Sequence, residues 1–161
     1  NNQKQEKEKC VMSNMDNLEK VERIREKTGV SYEDAKIALE ASNNDMLDAI
    51  GINGIIRTLN YAFSRCQKYG TPVFDKNEWP EINMSAERYK SRDRKSDNCI
   101  NHFFEKTLRL GNLMMTEEGR QMAKVRLKRM VEFLRGYFDE NDVPEWNKYL
   151  ENYLKEEKID L

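Results

Sequence analysis

The side chains able to do chemistry are few and scattered. His102 is the only histidine in the chain, and the cysteines Cys10, Cys66 and Cys99 are odd in number and far apart, with no CxxC pair. That spacing suits neither a thiolate metal site nor a disulfide framework, so reduced thiols are expected. RYKSRDRKS, residues 88 to 96, gathers Arg88, Lys90, Arg92, Arg94 and Lys95 around Tyr89. Such a run can steer a phosphate or follow a nucleic-acid backbone, and in its plainer reading it is a solvated loop. Lys124, Arg126, Lys128 and Arg129 read most simply as the wet face of a long helix. No serine or cysteine nucleophile has a base close to it in sequence, and Gly51 and Gly54 lie inside an apolar helical pattern, not in a phosphate-cradling loop.

These residues must be positioned by narrow apolar stripes. The 161 residues are 35% charged, and the mean hydropathy is -0.94. Amphipathic helices are the economical way to build a core from such a composition. With 28 basic and 29 acidic residues the net charge is -1, which gives no global attraction to nucleic acid or to an anionic membrane. No apolar run reaches the length of about 20 residues that spans a bilayer. A soluble cytoplasmic protein is the expectation.

NNQKQEKEK at the start is charged and lacks apolar residues, and residues 1 to 16 are expected to form a disordered arm, with Met12 and Met15 as alternative starts. From Asn17 the spacing predicts three short helices. Leu18, Val21 and Ile24 share a face of the first, which Gly29 closes; Ser31 with Asp34 caps the second, which carries Ala35, Ala38 and Leu39. Ser42, Asn43 and Asn44 read as a turn that caps a third helix from Asp45. That helix carries Leu47 and Ile50, and its apolar spacing runs on through Ile55, Ile56, Leu59 and Phe63 to about Tyr69, so one continuous helix with a bend at Gly51 and Gly54 is predicted. Residues 70 to 98 form a long loop, with one helical turn near Ala86 to Tyr89. Helices follow from Ile100 and from Thr116, and residues 141 to 161 hold a last helix with Trp146, Tyr149, Leu150, Tyr153 and Leu154 on one stripe, packed within the chain by default. Nothing alternates at period two, so the fold class is all-α.

EKVERIREKTGVSYEDAKIALEASNNDMLDAI, residues 19 to 50, resembles the three-helix UBA-like module at the front of elongation factor Ts, in its REKTGVS turn, its DAKIALE helix and the opening of its third helix. The domain expected at residues 17 to 50 would hold a partner protein through Thr28, Gly29, Val30, Leu47 and Ile50. The plainer reading makes Val30, Leu47 and Ile50 the module's own core.

A second resemblance begins inside the first. Asp45, Leu47, Asp48, Ala49, Ile50, Gly51, Gly54, Ile55 and Arg57, then Gly70, Pro72 and Asp75, then Asn101, His102, Phe103, Glu105, Lys106, Leu108, Leu113, Met114, Thr116, Ala123 and Arg126 are similar to the C-terminal half of HD-domain metal-dependent phosphohydrolases, over residues 45 to about 139. The resemblance implies a partial helical HD-type bundle at residues 45 to 140. It implies Asp45 as the last ligand of a divalent cation such as manganese or magnesium, with Asp48 and His102 as supports of that site. It also places the basic run close in sequence to the His102 segment. Such enzymes hold the cation with a histidine and a His-Asp pair as well, and no histidine precedes Asp45. The chain by itself is therefore expected to bind no cofactor and to lack independent catalysis. Without the family, Asp45 reads as a helix cap and His102 as a packed, hydrogen-bonded histidine.

LDAI, residues 47 to 50, belongs to both patterns. A join at this tetrapeptide, by natural fusion or by misassembly of the coding sequence, accounts for both resemblances. Three readings follow: a non-catalytic HD-related half-domain carrying a protein-binding module; a hydrolase subunit that lends Asp45 to a site completed by another chain; and a regulatory scaffold. Each implies another protein chain as partner, or a homo-oligomer through the apolar face left uncovered on Ile52, Ile55, Ile56 and Phe63. No membrane is expected, and nucleic acid is disfavoured.

Overall fold

The computed structural model describes residues 17 to 82 and 98 to 161, and over these the protein is all-α, with no strand among the described residues. Its helices are α1 (Asn17–Thr28), α2 (Tyr32–Asp48), α3 (Gly51–Tyr69), α4 (Cys99–Glu105), α5 (Glu117–Glu140) and α6 (Pro144–Glu156), with a 3-10 segment at Thr107–Leu113 between α4 and α5. The predicted arm, the helical turn near Ala86 and the basic run with Arg88, Lys90, Arg92, Arg94 and Lys95 lie outside the described residues. No described helix is long and apolar enough to cross a membrane.

α1 and α2 form a small hairpin. Gly29 ends α1 with φ +74, a left-handed conformation that costs glycine nothing. Ser31 caps α2: its hydroxyl accepts from the Asp34 amide at 3.1 Å and donates to the Asp34 carboxylate at 2.6 Å. The hairpin's own core is Val21, Ala35 and Leu39, with Ile24 and Met115 against it. Leu18, expected inside, is exposed, and Lys20 is buried in its place, with its ammonium donating to the Met115 carbonyl.

The predicted turn at Ser42, Asn43 and Asn44 is not formed. These residues continue α2, and no separate third helix starts at Asp45. Asparagine costs a helix interior only about half a kcal/mol. Here Asn43 is buried, donates to the Thr116 hydroxyl at 2.8 Å and accepts from the Met115 amide at 2.8 Å. Two buried hydrogen bonds outweigh that cost.

The expected continuous helix is also broken, between Asp48 and Gly51. Ile50 is extended and fully buried, and Gly51 restarts the chain at φ +72. The glycines make this break possible: a Cβ on Gly54 would stand 2.3 Å from the Ala49 carbonyl oxygen, and one on Gly51 would stand 3.0 Å from Cβ of Arg126. The apolar period passes through a two-residue break almost in phase, which is why spacing alone shows one helix.

The rest is a bundle organised by α5. Thr116 caps it by accepting from the Gly119 amide, and it buries Ala123, Leu127, Met130, Val131, Leu134 and Phe138. α3 lays Gly51, Gly54, Ile55 and Ala62 against it, and Leu47 and Ile50 join this larger core. Of the face expected to be left uncovered, Ile52, Ile56 and Phe63 are exposed, whereas Ile55 is buried in the bundle core. α6 starts with Pro144 in its first turn and buries Trp146, Leu150, Tyr153 and Leu154 in the same core. A non-helical strap, residues 73 to 82, crosses the bundle. Asn98 holds its Asp75 carbonyl at 3.0 Å, Asn101 its Glu78 carbonyl at 3.0 Å, and the Trp146 indole its Lys76 carbonyl at 3.1 Å.

Candidate functional site

Of the residues in the phosphohydrolase pattern, Leu47, Asp48, Arg57 and Arg126 meet at the C-terminal end of α2. The last carbonyls of a helix carry partial negative charge and lack partners within the helix. Two arginines from later helices supply donors there. Arg126 of α5 donates to the Leu47 carbonyl, and Arg57 of α3 donates to the Asp48 carbonyl at 3.2 Å. The Asp48 carboxylate lies 3.7 Å from the Arg126 guanidinium, an exposed and loose ion pair worth little by itself. Asp48, Asn53, Ile56 and Arg57 line a shallow depression beside this junction.

Asp45 is exposed one turn earlier on α2 and caps nothing, so its reading as a helix cap is corrected: it stands mid-helix because the turn before it is absent. His102 is exposed on α4, whose inward positions are taken by Phe103 and Phe104. Among the described residues no group of three or more His, Cys, Asp or Glu side chains stands close enough to hold a metal ion. The junction does not fit a divalent cation either. Asp48 faces the guanidinium of Arg126, and a cation there meets like charge.

Thr28, Gly29 and Val30 are exposed at the turn between α1 and α2, with the Thr28 hydroxyl donating to the Ile24 carbonyl at 2.7 Å. Leu47 and Ile50 do not share a surface with them. Both are buried, and in the bundle core, not in the hairpin's own. The candidate partner surface at this end of the molecule therefore reduces to Thr28, Gly29 and Val30, next to the exposed Tyr32.

The thiols divide by location. Cys66 is exposed near the end of α3. Cys99 is buried with its Sγ 3.7 Å from the Thr58 carbonyl, and burial pushes its thiol up to about 11, so it is protonated and unreactive at neutral pH. The sequence spacing puts Arg126 on a wet helical face with Lys124, Lys128 and Arg129. Lys128 and Arg129 are exposed as expected, but Lys124 pairs with Asp160 and Arg126 is the fastener of the α2 end. Its partner stands 79 positions away, and periodicity carries no signal for that.

No family model matches the chain, and no curated protein matches it. Among solved structures, a crystal structure of a Lactobacillus plantarum protein, determined as a structural-genomics target, is similar to it with 34% sequence identity and a TM-score of 0.52. The match covers 61% of this chain and 43% of that one, so the chain spans less than half the length of the protein it resembles.

Proposed function

We propose that this chain is a helical half-domain related to HD phosphohydrolases that works by binding protein and has no independent catalysis. The observation that carries the reading is on α3. Ile52, Ile56 and Phe63 are 52%, 55% and 53% exposed on a single helix whose opposite side is packed into the bundle. Isolated exposed apolar residues are ordinary, but several in one stripe mark a surface that another surface covers. The use of Arg57 and Arg126 as fasteners of α2 supports the same reading, because it assigns the charged groups of the junction to architecture. The exposed turn Thr28, Gly29 and Val30 is a second contact surface in this proposal, in line with the resemblance of residues 19 to 50 to UBA-like modules.

The divalent metal belongs to the resembled family, and this chain brings to it one carboxylate, Asp45. The exposure of that carboxylate favours one alternative, in which Asp45 is lent to a site completed by histidines of another chain. Phosphate release from nucleotides and phosphomonoesters, with and without manganese, separates the readings. The purified chain is expected to release no phosphate above its Asp45→Ala variant. Turnover that rises with manganese and vanishes in Asp45→Ala overturns the non-catalytic reading.

A further inference from the structure

The solvent side of α3 carries a second pattern besides its apolar stripe. Arg57, Tyr61, Arg65 and Tyr69 follow one another at intervals of four, so guanidinium and phenol alternate along one ridge of the helix, with Lys68 beside the last ring. From Arg57 to Tyr69 this row is about 18 Å long. Tyr61 and Tyr69 are 61% and 59% exposed. The Arg65 guanidinium stands between them, 5.7 Å from the Tyr61 ring centre and 5.0 Å from that of Tyr69, and it donates to the Tyr61 hydroxyl at 3.3 Å. The Lys68 ammonium stands 5.0 Å from the Tyr69 ring centre. Cations this close to an aromatic face are attracted by its quadrupole, and they hold the exposed rings in place.

Charge and flatness decide what the row fits. α3 holds three cations, Arg57, Arg65 and Lys68, and no acidic residue in its 19 positions. The balanced charge of the whole chain gives no long-range attraction, but a ligand within a Debye length of about 8 Å meets the local charge. Arg57 uses only part of its donor fork on the Asp48 carbonyl. The two rings keep most of their surface open, and an open aromatic face is covered best by another flat one. An acidic peptide brings carboxylates for the cations and leaves the rings bare. A single strand of nucleic acid brings both, phosphates for the cations and unstacked bases for the rings. A duplex brings phosphates alone, because taking a base out of its own stack is costly.

We propose that this row binds single-stranded nucleic acid without reading its sequence, with bases stacked on Tyr61 and Tyr69 and phosphates on Arg57, Arg65 and Lys68. The surface is separate from the stripe of Ile52, Ile56 and Phe63 that carries the protein-binding reading, so either stands without the other. A site this small binds weakly, with a Kd of about 1 to 100 µM at low salt. Three phosphate contacts to a single strand give a slope of about -2 for log affinity against log salt. Affinity therefore falls roughly twentyfold between about 50 and about 200 mM salt.

Fluorescence anisotropy of a labelled oligothymidylate, titrated with the full chain at low and at physiological salt, is the test. A hairpin duplex with the same number of phosphates serves as the comparison. The single strand is expected to bind several times more tightly than the duplex. Tyr61→Leu and Tyr69→Leu should each weaken binding about fivefold or more and leave the salt slope as it was. Arg65→Gln and Lys68→Gln should each weaken it and flatten the slope by about 0.7. Lys128→Gln, at an exposed position of α5, should change neither, and circular dichroism should show the same helix content in every variant. No binding at low salt overturns the proposal, and so does equal binding of the duplex, which would be plain charge attraction. Binding that survives both tyrosine variants lies elsewhere on the chain and also overturns it. If a copolymer of glutamate and tyrosine binds through Arg65 while the oligonucleotide does not, the row takes an acidic protein segment, and the nucleic-acid assignment fails.

Discussion

The hairpin of α1 and α2 and the bundle of α3 to α6 are held together by different physics. The bundle encloses a continuous apolar cluster running from Leu47 to Ile159, and it is densely aromatic. Phe74, Phe104 and Phe138 all stand within 6.2 Å of the Trp146 ring centre, and Trp79 stacks on it at 4.4 Å. The hairpin's own core holds three buried apolar side chains, Val21, Ala35 and Leu39, and the hairpin exposes Leu18, Val30, Tyr32 and Ile37. It is fixed to the bundle by Leu47 in the bundle core, by Met115 against its own core, and by a buried polar junction: Asn43 and Lys20 bonding to the backbone and hydroxyl of residues 115 and 116. Apolar burial is non-directional and tolerant, whereas a buried hydrogen bond is lost outright when one partner goes. The bundle should therefore set the stability of the whole, and the hairpin should open first.

The largest effect is expected at Trp146. It is fully buried, donates to the Lys76 carbonyl and touches α4, α5 and the strap. Trp146→Ala should cost about 3 to 5 kcal/mol, the usual range for removing a buried large aromatic. Thermal unfolding followed by circular dichroism should show the whole helical signal melting early. Loss confined to α1 and α2 would break the comparison.

Asn43→Ala should cost less, about 1 to 3 kcal/mol, because it strips the Met115 amide of its acceptor and the Thr116 hydroxyl of a donor inside a covered junction. Hydrogen exchange read by mass spectrometry should show faster exchange across residues 17 to 48, with α5 and α6 nearly unchanged. Uniform acceleration over the chain would mean that the two regions unfold as one unit.

Asn43 also shows where sequence reading stops. In the chain, Ser42-Asn43-Asn44 has the composition of a turn, and local chemistry favours a cap there. The structure spends Asn43 on a contact with residues more than seventy positions away, and no local rule contains that information. The same holds for Lys20 and Arg126, whose partners are distant carbonyls. What was legible was local: the Ser31 and Thr116 caps, the glycine that ends α1, the long apolar stripe of α5 and the aromatic stripe of α6 each declare themselves within a few residues. Period alone also cannot tell a stripe that meets its own core from one that meets nothing. Ile55 and Ile56 have the same chemistry and adjacent numbers, yet one is buried and the other bare.

The smallest effect, and the sharpest probe of whether the hairpin is an independent unit, lies at Ser31. Its hydroxyl satisfies the Asp34 amide at the exposed start of α2, where water can take over if it is removed. Ser31→Ala should therefore cost about 1 kcal/mol, and Ser31→Gly only a few tenths, since glycine adopts cap geometry readily and leaves the amide open to solvent. Neither variant touches a bundle residue. If the hairpin opens separately, both should speed exchange in residues 32 to 40 in that order and leave the bundle's thermal midpoint where it was. A midpoint that falls with the alanine and recovers with the glycine would place the Ser31 cap in the same cooperative unit as Trp146. The polar junction at Asn43 would then transmit the loss of one exposed hydrogen bond across the molecule, and the hairpin would be part of the fold's single transition.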